Sequence, residues 1–316
     1  MQHRHQWSPS LVVIVAAALF APIVPSIARA APPPPAGTPH HAPAPTQPSH
    51  MSPPPRMSPA PTSSLATSTG TGTTAAPGVG TPNHCGELPN ADRLKQELVA
   101  IIKQGKKANT GMGNERWGAV VDRDGVVCAV VFSGATRGDQ WPGSRVIAAE
   151  KANTANALSG PDFALSTANL WASTQPGQSL FGLTTAAPPN AEAVFATEPD
   201  TLGTVADPMI GKPIGGVIVF GGGLALYNAK GKIVGGLGIS GDTSCSDHVV
   251  AWKLRHALNL DAVPAGVAPN LTDNMILDVR NGVSPSGFGH PECIGGLPST
   301  GAIVHLPAQF PVGPKP

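Results

Sequence analysis

The chain has 316 residues, 37 of them Gly and 36 Pro, with 20 Lys and Arg against 19 Asp and Glu. Fifteen of the prolines fall between Ala31 and Pro82, so the part able to build a core is Asn83–Pro316, 234 residues, the size of one large domain. That part carries all 19 acidic residues and 17 of the basic ones, a formal charge of −2, which argues against a nucleic-acid partner.

Residues 1–30 read as a secretory signal peptide. Arg4 and two histidines precede the apolar run Leu11–Ile23, and Ala28-Arg29-Ala30 supplies small residues at the cleavage spacing. The run is shorter than the ~20 residues a spanning helix needs. The mature chain is therefore expected to be secreted or periplasmic, with no membrane span. Residues 31–82 are Pro, Ala, Ser, Thr and Gly with few large apolar side chains, and are expected to form a disordered linker. His40, His41 and His50 are isolated in it and are expected to do nothing beyond weak metal binding.

Residues 83–316 have a readable order of elements. Leu94, Leu98, Ile101 and Ile102 recur at helical spacing within Ala91–Lys103. Trp117–Val121 and Val126–Phe132 are β-branched runs around Asp122-Arg123-Asp124-Gly125, the pattern of a hairpin. Pro142-Gly143-Ser144 opens a helix from Arg145 to about Leu158, and Leu165–Thr174 reads as another helical stretch. Thr184–Pro213 is expected to be a long loop or insertion. Val217–Phe220, Leu224–Tyr227 and Ile233–Ile239 are joined by links so short that the strands must be antiparallel. A last helix runs from about Ser246 to Leu258. The order predicts an α+β domain with a five-stranded antiparallel sheet and its helices packed on it.

Cys85, Cys128, Cys245 and Cys293 are an even number in an exported chain, so two disulfides are expected, and three connectivities are possible. Cys245–Cys293 with Cys85–Cys128 is the preferred pairing, and a free, buried Cys128 is the alternative. No Cys-x-x-Cys pair points to zinc.

Gly236-Leu-Gly-Ile-Ser-Gly241 matches a dinucleotide fingerprint literally, with Asp261 twenty residues beyond it. That fingerprint belongs in a parallel βαβ unit, whereas this strand ends an antiparallel meander. Gly238–Asp242 likewise falls one place short of a serine-hydrolase elbow.

The glycine pattern has another reading. Phe220-Gly-Gly-Gly-Leu-Ala-Leu-Tyr227, then Gly231-Lys-Ile-Val-Gly-Gly-Leu-Gly-Ile-Ser-Gly241 and Asp247 opening a helix, resembles the GlcG/HbpS-like family of haem-binding proteins. Ala119–Gly125 and the helix with Lys151–Ala155 are similar to that family too. The resemblance covers about Leu88–Leu260 and implies a profilin-like or PAS-like fold, a haem or related tetrapyrrole ligand, and a homo-oligomer. The insertion at Thr184–Pro213, the cysteine-bearing tail, Cys245 and His248 depart from the family pattern.

Haem needs an apolar slot, a donor for the iron, and cations or N–H groups for the propionates. Of His84, His248, His256, His290 and His305, the first choice as iron ligand is His248, because the glycine-rich strand end at Gly241 and the helix start should border a cleft. Asp247 is expected to cap that helix. His290 should approach His248 if Cys245 and Cys293 pair. Arg145 and Lys151, six apart on one helix, are candidates for the propionates. Trp141, Trp171 and Phe181 are candidate walls. A different class of function, an enzyme using His248, Asp247 and Lys151 on a small organic substrate, fits the same cleft.

Overall fold

A computed structural model of the chain describes residues 84–195 and 198–314. They belong to the second of two units, Thr73–Pro316. The sorting signal expected at 1–30 and the linker at 31–82 lie outside the described residues.

Helix α1 (Ala91–Ile102) starts where Asn90 caps it, the Asn90 side chain accepting the Arg93 N–H at 2.9 Å. Leu94, Leu98 and Ile101 form its buried stripe. A short turn of helix, α2 (Lys106–Asn109), leads to β1 (Trp117–Val121) and β2 (Val127–Phe132). These pair antiparallel, and Asp122 closes the hairpin by accepting the N–H groups of Asp124 and Val126. Helix α3 (Ser144–Ala157) follows, buried on most of its sides.

The stretch expected as a helix at Leu165–Thr174 is instead two short 3-10 helices, Thr167–Leu170 and Ala172–Thr174. Asn169 Oδ1 accepts both the N–H and the hydroxyl of Ser166, a local bond that competes with the α-helical ladder. The insertion contains α4 (Leu183–Ala186) and α5 (Ala191–Val194). Strands β3 (Gly223–Tyr227) and β4 (Ile233–Ser240), then α6 (Ser244–Ala257) and α7 (Thr300–Gln309), complete the order.

The sheet is antiparallel, but it has four strands in the order β2-β1-β4-β3, not five. Val217–Phe220 does not join it. That segment finds its partners on α3 and on the 3-10 helix Thr167–Leu170: Asn153 donates to Gly216 O at 3.0 Å, Thr154 Oγ1 accepts the Ile218 N–H at 3.0 Å, and Thr167 donates to Phe220 O at 2.7 Å. Its apolar, β-branched composition reflects proximity to the packed helix rather than strand pairing.

One sheet face, with Val120, Val131, Leu224, Leu226, Leu237 and Ile239, packs against α1 and α6, and α7 packs on α6. The other, with Trp117, Ala119, Val121 and Val130, packs against the alanines of α3 and the insertion. Here Gly236 and Gly238 have their role. A Cβ at Gly238 would lie 1.8 Å from Ala148 O, and one at Gly236 2.1 Å from Ala152 O. The G-x-G pattern lets a helix backbone settle directly on β4.

Both preferred disulfides form. Cys85–Cys128 ties the segment before α1 to β2, and Cys245–Cys293 ties the C-terminal tail to the first turn of α6, with Cα separations of 5.7 and 5.9 Å.

Candidate functional site

The site is assembled where β4 turns into α6. Gly241 makes the turn at φ 148°, and a Cβ there would lie 2.5 Å from Glu115 O. Thr243, not Asp247, caps α6, its Oγ1 accepting the Ser246 N–H at 3.3 Å. The helix begins two residues earlier than the sequence suggests, so Asp247 falls inside the first turn and its carboxylate points inward.

That carboxylate organises a buried charge network. Asp247 Oδ2 lies 3.0 Å from Lys151 Nζ, and Oδ1 lies 3.1 Å from Arg116 Nε while accepting the Asp242 N–H. The Arg116 contact is an ion pair without hydrogen-bond alignment. Arg116 also reaches Asp242 at 3.1 Å and the Ser246 hydroxyl at 2.8 Å. Lys151 donates in addition to Ile239 O at 2.9 Å, and its ammonium stands 4.9 Å from the centre of the Phe220 ring. Burial pushes the Asp247 carboxyl up, opposed by Lys151 and Arg116; burial likewise pushes the Lys151 ammonium down, opposed by Asp247. Asp242 is held below the ordinary carboxylate value: burial acts against this, but the Arg116 guanidinium and the N–H groups of Met112, Asn114 and Thr243 outweigh it. Lys151 and Asp247, offered by the enzyme alternative as acid–base groups, are paired with each other in the interior.

Arg145 faces elsewhere, as its six-residue offset from Lys151 requires. Its Nε donates to Asp207 Oδ2 at 2.8 Å and its Nη1 to Val194 O at 3.1 Å, which fastens the insertion to α3. Trp141 is half exposed ahead of α3, and Phe181 is exposed.

Beside the start of α6 lies a cleft of about 330 Å³, walled by Trp171, Phe220, Ser244, His290, Cys293 and Ile294. His290 is the buried imidazole in it. Its Nδ1 lies 2.6 Å from Pro291 O, and because a carbonyl can only accept, Nδ1 carries the proton. Nε2 therefore keeps its lone pair and accepts the Ser244 hydroxyl at 3.2 Å. Burial lowers the His290 pKa to about 4, so the ring is neutral.

His248 is fully buried and is not part of that wall. Its Nε2 lies 3.1 Å from Asn274 Oδ1 and 3.2 Å from the Met275 N–H, while Nδ1 has no hydrogen-bond partner. Burial takes its pKa to about 4, to which His290 nearby contributes a small repulsion. Asn274 and Met275 line a second, apolar cleft of about 280 Å³ with Leu277 and Val304. The structure thus brings Lys151, Gly241 and His248 around the start of α6, sets His290 in the adjoining cleft, and separates Arg145 and Trp141 from them. Ser244, Phe220 and Ile294 were not anticipated. The cleft's outer wall comes from a tail with no periodicity, so only the cysteine pairing signalled that it returns to α6.

The family model described as haem degrading protein HbpS-like matches residues 96–254. Among solved structures, the PduOC–haem complex is 24% identical, with 54% of this chain and 91% of that one covered and a TM-score of 0.37. The Klebsiella pneumoniae protein ORFY is 22% identical, with 54% and 90% covered and a TM-score of 0.35. A double mutant of Streptomyces reticuli HbpS is 18% identical, with 63% and 99% covered and a TM-score of 0.32. No curated protein matches the chain. The family match runs from the second turn of α1 to the last turn of α6, half of the sequence, and the chain belongs to the HbpS-like family.

Proposed function

We propose that the protein binds haem outside the cytoplasm, in the cleft between the start of α6 and the C-terminal tail, and serves in haem capture, buffering or sensing. Family membership suggests the ligand, and the observation that carries the reading is His290: a neutral imidazole whose Nε2 keeps its lone pair, engaged by the rotatable Ser244 hydroxyl that an iron would displace, in a cleft with apolar walls. The residues fit the group. Trp171 and Phe220 offer flat faces, Ile294 an exposed apolar edge, and the Thr243 and Ser244 hydroxyls on the cleft wall can donate to a propionate carboxylate. Donation of the Nδ1–H to Pro291 O fixes the ring orientation, as ligating histidines require. Iron supplied by the bound porphyrin would bring the redox and ligand-exchange chemistry.

Extracytoplasmic action is supported by two disulfides, which persist in oxidising compartments, and by the apolar segment near the N-terminus. Among the described residues no helix is long and apolar enough to cross a membrane. Assembly into a homo-oligomer, as the resemblance implies, belongs to the same proposal.

Titration of the purified protein with hemin tests the reading. A shifted, sharpened Soret band that saturates near one equivalent per chain is expected, and His290→Ala should shift the band or weaken binding at least about tenfold, whereas His248→Ala should do less. No spectral change on adding hemin would overturn it. The family description also suggests haem breakdown, and the same titration reads it: under a mild reductant and oxygen, a stable Soret band means capture and steady bleaching means degradation.

A further inference from the structure

We propose that reduction of the Cys245–Cys293 disulfide converts the base of this cleft into a three-ligand site, Cys245 Sγ, Cys293 Sγ and His290 Nε2, for a zinc-like divalent cation. The proposal needs only these side chains and does not depend on haem binding.

The geometry is nearly assembled. The two sulfurs and an imidazole nitrogen of His290 all lie within 4.8 Å of one another. Tetrahedral zinc, with bonds of about 2.0–2.3 Å, holds its ligands roughly 3.3–3.8 Å apart, so breaking the S–S bond and rotating the thiols is sufficient. The imidazole is already aimed: Pro291 O holds its Nδ1–H, and Nε2 faces Ser244 Oγ, which lies 3.2 Å from Nε2 and 3.2 Å from Cys293 Sγ. The backbone N–H of Cys245, in the first turn of a 14-residue helix, points at Cys293 Sγ at 3.1 Å and would stabilise negative sulfur there. Cys245 and His290 are buried and Cys293 is half-buried on the cleft wall, which gives the cation an entry path and leaves a fourth position for water or Ser244. Two thiolates and one imidazole with an open position form a zinc-type donor set.

The other disulfide has no equivalent. Cys85 and Cys128 lie near Asp122, whose Oδ1 already accepts two backbone N–H groups of the hairpin.

The chemistry balances with a dithiol as reductant. The dithiol is oxidised to its disulfide, Cys245 and Cys293 take up its two hydrogens, and the cation then replaces both thiol protons, which leave to solvent as the two metal–sulfur bonds form. The disulfide state would thereby gate the site.

The test uses the full chain, reduced with a water-soluble phosphine, desalted under anaerobic conditions and titrated with Co²⁺. Thiolate-to-cobalt charge-transfer bands with strong four-coordinate visible bands, saturating at one equivalent, are expected for the reduced protein and not for the oxidised one. They should survive in Cys85→Ser/Cys128→Ser and vanish in Cys245→Ser/Cys293→Ser. His290→Ala should keep the sulfur bands but weaken binding by more than the roughly tenfold that losing even an outer partner of a ligand costs. Bands that persist without Cys245 and Cys293, or no bands in reduced wild-type protein, overturn the proposal. Loss of native circular dichroism on reduction overturns it equally, because the site exists only on the folded chain. A hemin titration of the oxidised protein fails or succeeds independently of these outcomes.

Discussion

Lys151 illustrates how residue type and environment part company. In the sequence it is a cation on an Ala-rich helix, and a cation near a suspected cleft suggests a carboxylate ligand. In the fold its ammonium has no exposure and is shared by Asp247 and Ile239 O. A buried ion pair contributes little net stability relative to a well-packed apolar pair, yet removal of Lys151 leaves the buried Asp247 carboxylate with Arg116 as its remaining cation and a shared amide, short of compensation. Lys151→Met should therefore destabilise the domain by roughly 3–5 kcal/mol, and Lys151→Met/Asp247→Leu should recover part of that loss. Chemical denaturation of the three proteins reads the difference, and additive losses would mean that the pair is not coupled. Arg145 follows the same logic, since Asp207 satisfies it inside the protein. The sequence supplied these charges but not their partners, which lie 62 and 96 residues away.

At the scale of elements, period and punctuation located most helices and strands to within a few residues, because Asn90, the Asp122–Gly125 turn and the alanine stripe of α3 act locally. Helix α7 and the short α2, α4 and α5 are absent from the sequence reading, and two expected elements take another form. Val217–Phe220 has strand composition but bonds to side chains of α3 and its neighbour, and Leu165–Thr174 closes into 3-10 turns around Ser166 and Asn169. In both, polar side chains took the backbone bonds that a regular element would have used. The contact between α3 and β4 depends on two missing side chains. Gly238→Ala should cost about 3 kcal/mol or more, because the methyl would enter the space of Ala148 O and neither backbone can yield cheaply. Gly143→Ala is the matched control. Gly143 has φ −63° and nothing within 4 Å of an added Cβ, so that change should be neutral or stabilise by about 0.4–1 kcal/mol. Equal thermal shifts for the two variants would refute the close-approach account of the glycines.

For the molecule as a whole, acid stability follows from two imidazoles kept neutral in the interior. His248 and His290 fall from 6.5 to about 4 on folding, chiefly by burial. Between those values the unfolded chain binds protons that the native chain refuses, so stability rises with pH across the window and falls as pH drops from about 6.5 toward 4. At about 1.4 kcal/mol per pKa unit, each histidine contributes roughly 3 kcal/mol to that fall. His248→Asn should flatten the dependence by about its share, as measured by urea midpoints at pH 7, 5.5 and 4.5; an unchanged slope would mean that His248 titrates normally.

The sequence by itself determined the α+β class, the two antiparallel hairpins, the even set of four cysteines and the family pattern around Phe220–Gly241, because these are written in local spacing and composition. Tertiary structure decided which groups meet. It buried Lys151, Asp247, Arg116 and Asp242 together, turned Arg145 toward Asp207, withdrew His248 from the larger cleft and brought His290 into it on a tail pinned by Cys245–Cys293. Such meetings join residues tens of positions apart, where neither periodicity nor turn chemistry carries information, and only the packing of α3 and α6 on opposite faces of one sheet brings them within reach.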